Sequence, residues 1–160
     1  MKKKLFIIFI CVFLIACSST KNSNNRGDFL KTQIQLITNA DTLTPMRVYK
    51  ITNTSDSLLL RQKSSYITPN PKNKILQKFV KRLYATVTDS MSLGVGIAAP
   101  QVGILKNIIW VQRFDKENFP FEVYLNPKII QYSEETQTVR DGCLSIPNRS
   151  ETLNTRSKNI

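Results

Sequence analysis

Apolar residues recur at helical spacing most clearly between Lys72 and Thr88, where Ile75, Leu76, Phe79, Val80, Leu83, Tyr84 and Val87 fall on one face. Lys74, Lys78, Lys81 and Arg82 take the opposite face, so one long amphipathic helix is predicted here. Beyond it the period changes. Lys106 to Phe114, with Ile108, Ile109, Trp110 and Val111 in a run, predicts a buried strand, and Phe121 to Leu125 predicts another before Asn126-Pro127. Ile129 to Tyr132 reads as a third strand and Arg140 to Ile146 as a short one around Cys143. The tail from Asn148 to Ile160 is polar and carries no period. Upstream, residues 26 to 45 leave the element open, with a strand at Ile34 to Ile37 as one reading. Val48 and Ile51 fit a short extended piece. Asp56-Ser57-Leu58-Leu59-Leu60 reads as a capped turn into a brief helix or loop, closed off by Pro69 and Pro71. One long helix, several short strands and no βαβ alternation predict an α+β fold, with short mixed or antiparallel strands around the main helix.

The chain begins differently. Lys2, Lys3 and Lys4 precede an apolar run from Leu5 to Ala16, the layout of a secretory leader. The run is shorter than the roughly 20 apolar residues that a spanning helix needs. It closes on Leu14-Ile15-Ala16-Cys17, which resembles the bacterial lipobox, and this makes Cys17 the expected lipidation site and mature N-terminus. A cleaved leader with a coincidental cysteine and an uncleaved anchor are the alternatives. Ser18 to Asn25 holds no apolar residue and reads as a tether. The expected organisation is a leader over 1–16, a tether with an ill-defined segment over 17–45, and one domain over 46–160. Acyl chains contribute about 0.8 kcal/mol per buried methylene, so two or three of them would hold the protein at the membrane of the cell envelope.

Without the leader, 144 of the 160 residues remain, enough for one domain with a core and expected as a monomer. Three of the 23 basic residues leave with it, so 20 face 11 acidic ones and the net charge is +9. No block of five like charges and no basic and aromatic interleaving occurs, so nucleic acid is not the expected partner; a solvated basic face beside anionic lipid is. Of three cysteines, Cys11 is in the leader and Cys17 is the lipid site, which leaves Cys143 without a disulfide partner. Histidine is absent from all 160 residues. These residues therefore cannot form a Cys-His pair, a Ser-His-Asp triad or an HExxH zinc site by themselves.

Gly94-Val95-Gly96-Ile97-Ala98-Ala99 formally matches G-x-G-x-x-A, with Asp115 about twenty residues on. The context is wrong for a dinucleotide site, which needs a strand before and a helix after; here a helix precedes and Pro100 and Gly103 follow. Extended through Pro100-Gln101-Val102-Gly103, the same segment resembles the first signature of the peptide deformylases. Asp141-Gly142-Cys143-Leu144-Ser145-Ile146-Pro147 resembles the second, in the family's order, and the likeness runs from about Met46 to Pro147.

The resemblance implies a deformylase-like fold and metal-dependent hydrolysis of the formyl group from N-formylmethionyl peptides. It makes Cys143 a ligand of Fe²⁺ or Zn²⁺, and it makes Gln101 and the Leu144 N–H the donors to the oxyanion. Gly96 stands among the catalytic positions with them, and Gly94, Val95 and Ile97 form the loop along the substrate. A thiolate suits these metals, and a side-chain amide plus a peptide N–H aimed at one oxygen stabilises a tetrahedral intermediate. Two departures stand out. Asp141 replaces the family's usual glutamate, one methylene shorter in a supporting ion pair. The third motif, HExxDH on a C-terminal helix, does not occur: 17 residues follow Cys143, none of them histidine. With one ligand of the three that a catalytic site requires, weak or no metal binding is expected. The chain is then either cut short or catalytically inactive. A non-catalytic peptide-binding or ligand-binding lipoprotein is the competing reading, and a tethered basic protein that binds anionic surfaces is a third.

Because Leu14-Ile15-Ala16 precedes Cys17, Cys17→Ser is expected to abolish metabolic labelling with radioactive palmitate and to release or misprocess the protein. Unchanged labelling of the variant would overturn the lipid assignment.

Overall fold

The computed structural model describes residues 28–91 and 94–160; the leader, Cys17 and the tether lie outside the described residues. In chain order the elements are α1 (Lys31–Thr38), α2 (Thr54–Leu60), α3 (Lys74–Val87), β1 (Gly96–Ala98), a 3₁₀ turn (Ala99–Val102), β2 (Ile108–Gln112), β3 (Phe121–Leu125), β4 (Thr136–Cys143) and β5 (Ile146–Ser157). The fold is α+β. Strands β1, β2 and β3 form one antiparallel sheet, with Ile97 opposite Trp110 and Trp110 opposite Val123, and β4 and β5 form a separate antiparallel hairpin.

Helix α3 starts where Asn73 accepts from the Ile75 and Leu76 N–H groups (3.0 and 3.1 Å), which satisfies donors that a first turn leaves free. Leu76, Phe79, Leu83 and Val87 are buried at the expected spacing, packed with Ile97, Ile108 and Ile37. Phe29 meets Phe79 edge to face, 5.9 Å between centroids. The Trp110 indole donates to Val80 O (2.9 Å), so the sheet is bonded to the helix as well as packed on it. Tyr84, although on the apolar face, is 42% exposed and lies against the rings of Trp110 and Phe121.

Four expectations need correction. Arg82, assigned to the solvent face, is 3% exposed. Its guanidinium donates to Leu36 O, Ile37 O, Asn39 Oδ1, Thr44 O and Pro45 O at 2.6 to 3.4 Å. Burial lowers its pKa from the ordinary arginine value, and the acceptors at the negative end of α1 make the buried charge tolerable. The second correction is that Ile34 to Ile37 is helical. Gln33 and Ile37 are its buried residues, four apart, and Gln33 Oε1 accepts from the Leu30 N–H (3.0 Å) to close the first turn. The third is that Ile129 to Tyr132 forms no strand. Asn126 turns the backbone at φ 53°, its side chain bonds both Ile67 N–H and Ile67 O, and the chain leaves the sheet with Ile130 93% exposed. Finally, the tail is mostly β5. It pairs with a β4 that starts at Thr136, and Lys158–Glu135 (2.8 Å) and Arg156–Asp141 tie the two sides. Within the glycine-rich segment, residues 96–102 form β1 and the 3₁₀ turn.

A strap of extended backbone, residues 47–51, crosses the domain. Asp56, in α2, accepts from both Arg47 terminal nitrogens (2.8 and 2.7 Å) and from the Lys50 N–H (2.9 Å), while its own N–H is capped by Asn53. The Arg47 guanidinium also lies 4.0 Å from the centre of the Tyr49 ring. From this anchored strap the Tyr49 N–H donates to Gln101 O (2.7 Å) and the Ile51 N–H to Ser145 O (3.0 Å). The Tyr49 ring covers Gly103, where φ is 82° and a Cβ would lie 2.7 Å from the ring, so only glycine fits.

Phe79→Ala should cost about 3 to 5 kcal/mol as a truncation in a packed core, and an unchanged melting temperature would overturn the core placement. The fork from Arg47, with the Lys50 N–H, holds the Asp56 carboxyl below its ordinary value although burial opposes it. A depressed folded-state pKa contributes stability above the ordinary carboxylate value of about 3.9 and loses it as pH falls through the lower folded value. The melting-temperature gap between wild type and Asp56→Asn should therefore be full near neutrality and shrink below about pH 4. A gap constant with pH would refute the assignment.

Candidate functional site

Both motif segments reach one place because the 3₁₀ turn and the β4–β5 turn hang from the same strap. Pro100 is the second residue of the 3₁₀ turn, in the first turn where no N–H is required of it, and Gln101 follows it. The Gln101 Oε1 accepts from the Ala98 N–H at 2.8 Å. An N–H can be met only by the amide oxygen, so this bond decides which way the side chain faces. Its Nε2 then points to Cys143 Sγ (3.6 Å) and Ser145 Oγ (3.3 Å).

Cys143 ends β4 and pairs with Ile146, so Leu144 and Ser145 form a two-residue turn that brings the thiol to the surface. Leu144 packs its side chain on the core while its backbone stays in the turn beside Cys143. Ser145 is 4% exposed, with its hydroxyl against Gln101 and its carbonyl on the strap. Sequence reasoning gave it no role. The available signal was a small polar residue inside the second motif, placed where only a buried hydroxyl would satisfy the amide.

The glycines work by closeness. A Cβ on Gly94 would lie 3.1 Å from both Leu144 Cδ1 and Val87 Cγ2, and one on Gly96 would lie 3.2 Å from Trp110 O. β1 can thus approach the turn and the sheet. Between them runs a groove of about 1060 Å³, walled by Gly94, Val95 and Gly96 on one side and by Cys143 and Leu144 on the other, with Gln101 between. Ile97 is 3% exposed in the core and does not line the groove. Asp141 pairs with Arg156 across the hairpin, so the shorter carboxylate still has a cationic partner.

An amide whose oxygen is already engaged keeps its N–H direction without rearrangement. Such a fixed donor is what stabilises charge developing on a carbonyl oxygen. The residues do not fit a three-ligand metal centre. Cys143 offers one thiolate, its neighbours are an amide and a hydroxyl, and no group of three His, Cys, Asp or Glu able to hold an ion occurs among the described residues.

Residues 48–160 match the family model described as polypeptide deformylase. The chain is 36% identical over 104 residues to a peptide deformylase of Desulforudis audaxviator, covering 64% of this chain and 61% of that one. It is 41% identical over 73 residues to one of Prochlorococcus marinus, covering 45% and 35%. It thus spans about a third to three fifths of the length of these relatives. Among solved structures, a Met-Ala-Ser-bound class I type b peptide deformylase from Acinetobacter baumannii superposes with a TM-score of 0.58 at 27% identity, over 71% of this chain and 72% of that one. A probable peptide deformylase from Synechococcus phage S-SSM7 gives 0.53 at 33% identity, over 71% of each. With more than half its residues inside the family model, the chain belongs to the polypeptide deformylase family.

Proposed function

We propose that the chain is a deformylase-like, lipid-anchored protein of the cell envelope whose groove receives N-formylmethionyl peptides, and that its 160 residues alone do not hydrolyse them. One observation carries the substrate side: the Gln101 amide is locked by the Ala98 N–H and faces the groove beside Cys143 and Leu144. A formyl oxygen placed there would accept from Gln101 Nε2 and the Leu144 N–H. The Met-Ala-Ser held by the Acinetobacter relative supports a methionyl peptide as the occupant. The chemical side is carried by the donor set. The family reaction uses Fe²⁺ or Zn²⁺ to activate water, and Cys143 is one ligand where three are needed, with no imidazole in the sequence. Among the described residues no carboxylate or imidazole lines the groove beside the thiol. The same facts favour, as the second reading, a non-catalytic peptide-binding lipoprotein, since the groups that orient a carbonyl are complete and those that activate water are not. The leader over residues 1–16 and Cys17 support the envelope location.

The full chain in a non-ionic detergent should release no formate from formyl-Met-Ala-Ser above background, with or without added Fe²⁺ or Zn²⁺. Metal-dependent release would refute the inactivity. In a chain extended to restore the third motif, Cys143→Ser should remove the metal. Gln101→Ala should keep it and slow turnover by about 10²-fold to 10³-fold. Equal metal loss in both variants would make Gln101 structural.

A further inference from the structure

The rim of the groove carries a charge pattern that deformylation itself does not require. Arg47, Lys50, Arg140 and Arg149 line it, and no carboxylate does. All eleven Asp and Glu of the sequence lie among the described residues, so none outside them can compensate. The nearby carboxylates are already committed: Asp56 to Arg47, Glu151 to Arg149 and Asp141 to Arg156. Lys50 and Arg140 have no carboxylate within ion-pair distance among the described residues, and both are exposed. Neither is loosely attached. The Lys50 backbone is pinned by its N–H to Asp56 (2.9 Å), and Arg140 Nε donates to Ser150 Oγ (3.0 Å), which leaves its terminal nitrogens free to donate into the groove.

We propose that Lys50 and Arg140 make the groove select peptides that carry a carboxylate after the methionine, so that its ligands are acidic formyl-methionyl peptides. This rests on the peptide reading above and adds the ligand's charge to it. Two exposed cations contribute modestly and through screened interactions, so the preference is about threefold to tenfold at low salt and decays as ionic strength rises.

The test titrates the full chain in non-ionic detergent with two C-terminally amidated peptides, formyl-Met-Ala-Glu-amide and formyl-Met-Ala-Gln-amide, by calorimetry at about 20 and 300 mM salt, around the Debye-length crossover. The Glu peptide should bind about threefold to tenfold tighter at low salt, and most of that advantage should vanish at high salt. The double variant Lys50→Gln and Arg140→Gln should bind the two peptides equally at both salt concentrations while keeping a cooperative melting transition. Equal binding of both peptides by the wild type overturns this inference and leaves the peptide reading standing. A preference that survives in the double variant overturns the assignment to these two residues. Binding of neither peptide overturns both readings, because the groove then holds no peptide. If the peptides bind equally while the double variant loses salt-sensitive binding to phosphatidylglycerol vesicles, the two cations serve a lipid surface and the proposal is wrong.

Discussion

Two backbone hydrogen bonds, from Tyr49 to Gln101 and from Ile51 to Ser145, hold together segments that are 44 residues apart in the chain. The 3₁₀ turn fixes Gln101 against Ala98, the β4–β5 turn fixes Cys143 against Ile146, and the Gln101 amide reaches across to Cys143 Sγ and Ser145 Oγ. Their mutual register comes from the strap, which is itself without a ladder partner and would be free to slide. The fork from Arg47 to Asp56 removes that freedom, and Asp56 is in turn fixed in a capped helix. The chain of dependence runs from a helix cap to a carboxylate, to a strap, to two loops, to an amide facing a thiol.

Behind this front, α3 packs against α1, β1 and β2, and Arg82 explains how a polar residue belongs in its buried face. The guanidinium gathers the end of α1 and the turn at residues 44–45 through five acceptors. Thr86, one turn on, bonds the Met46 N–H (2.8 Å) immediately before the strap begins. The helix therefore fixes the residue that leads into the strap as well as the core that supports β1 and β2. An apolar residue at position 82 would leave the buried Ile37 carbonyl without this donor and its part-buried neighbours untied.

Legibility in the sequence followed one-sided burial. α3, β2 and β3 each bury one face on the core, so their periods are printed in the residues, and the capped turn near Asp56 is printed in its side chains. β5 is exposed along most of its length on both faces, which erases any alternation; its order comes from a backbone ladder and cross-hairpin ion pairs that side-chain polarity does not announce. Arg82 misled because hydropathy ranks a guanidinium as solvent-loving, and the acceptors that reverse this come from residues 36 to 45, out of sight of any local window. Ile34 to Ile37 misled because an apolar pair two apart fits a strand, while Gln33 and Ile37 at helical spacing include a glutamine. For the site, the two motifs placed Gln101, Cys143 and Leu144 together, but Ser145, Arg47 and Asp56 act through distant partners. Ile97 carries a motif position into the core, because neighbours on β1 alternate between groove and interior.

The separation of donors from ligands along the chain has a physical consequence. The bonds that orient Gln101 and tie down the turn holding Leu144 lie within residues 47 to 145. The Gln101 amide is oriented by protein groups, the Ala98 N–H on its oxygen and the strap on its backbone. Transition-state stabilisation and nucleophile generation are distinct contributions in amide hydrolysis, and a protein can hold the first while lacking the second. On the proposed reading, interactions that would have favoured the tetrahedral intermediate would fall on the ground-state carbonyl, and the domain would bind without turning over. On that reading uncompensated charge at the rim would act on affinity alone, and Lys50 and Arg140 would be judged by what the groove retains rather than by what it converts.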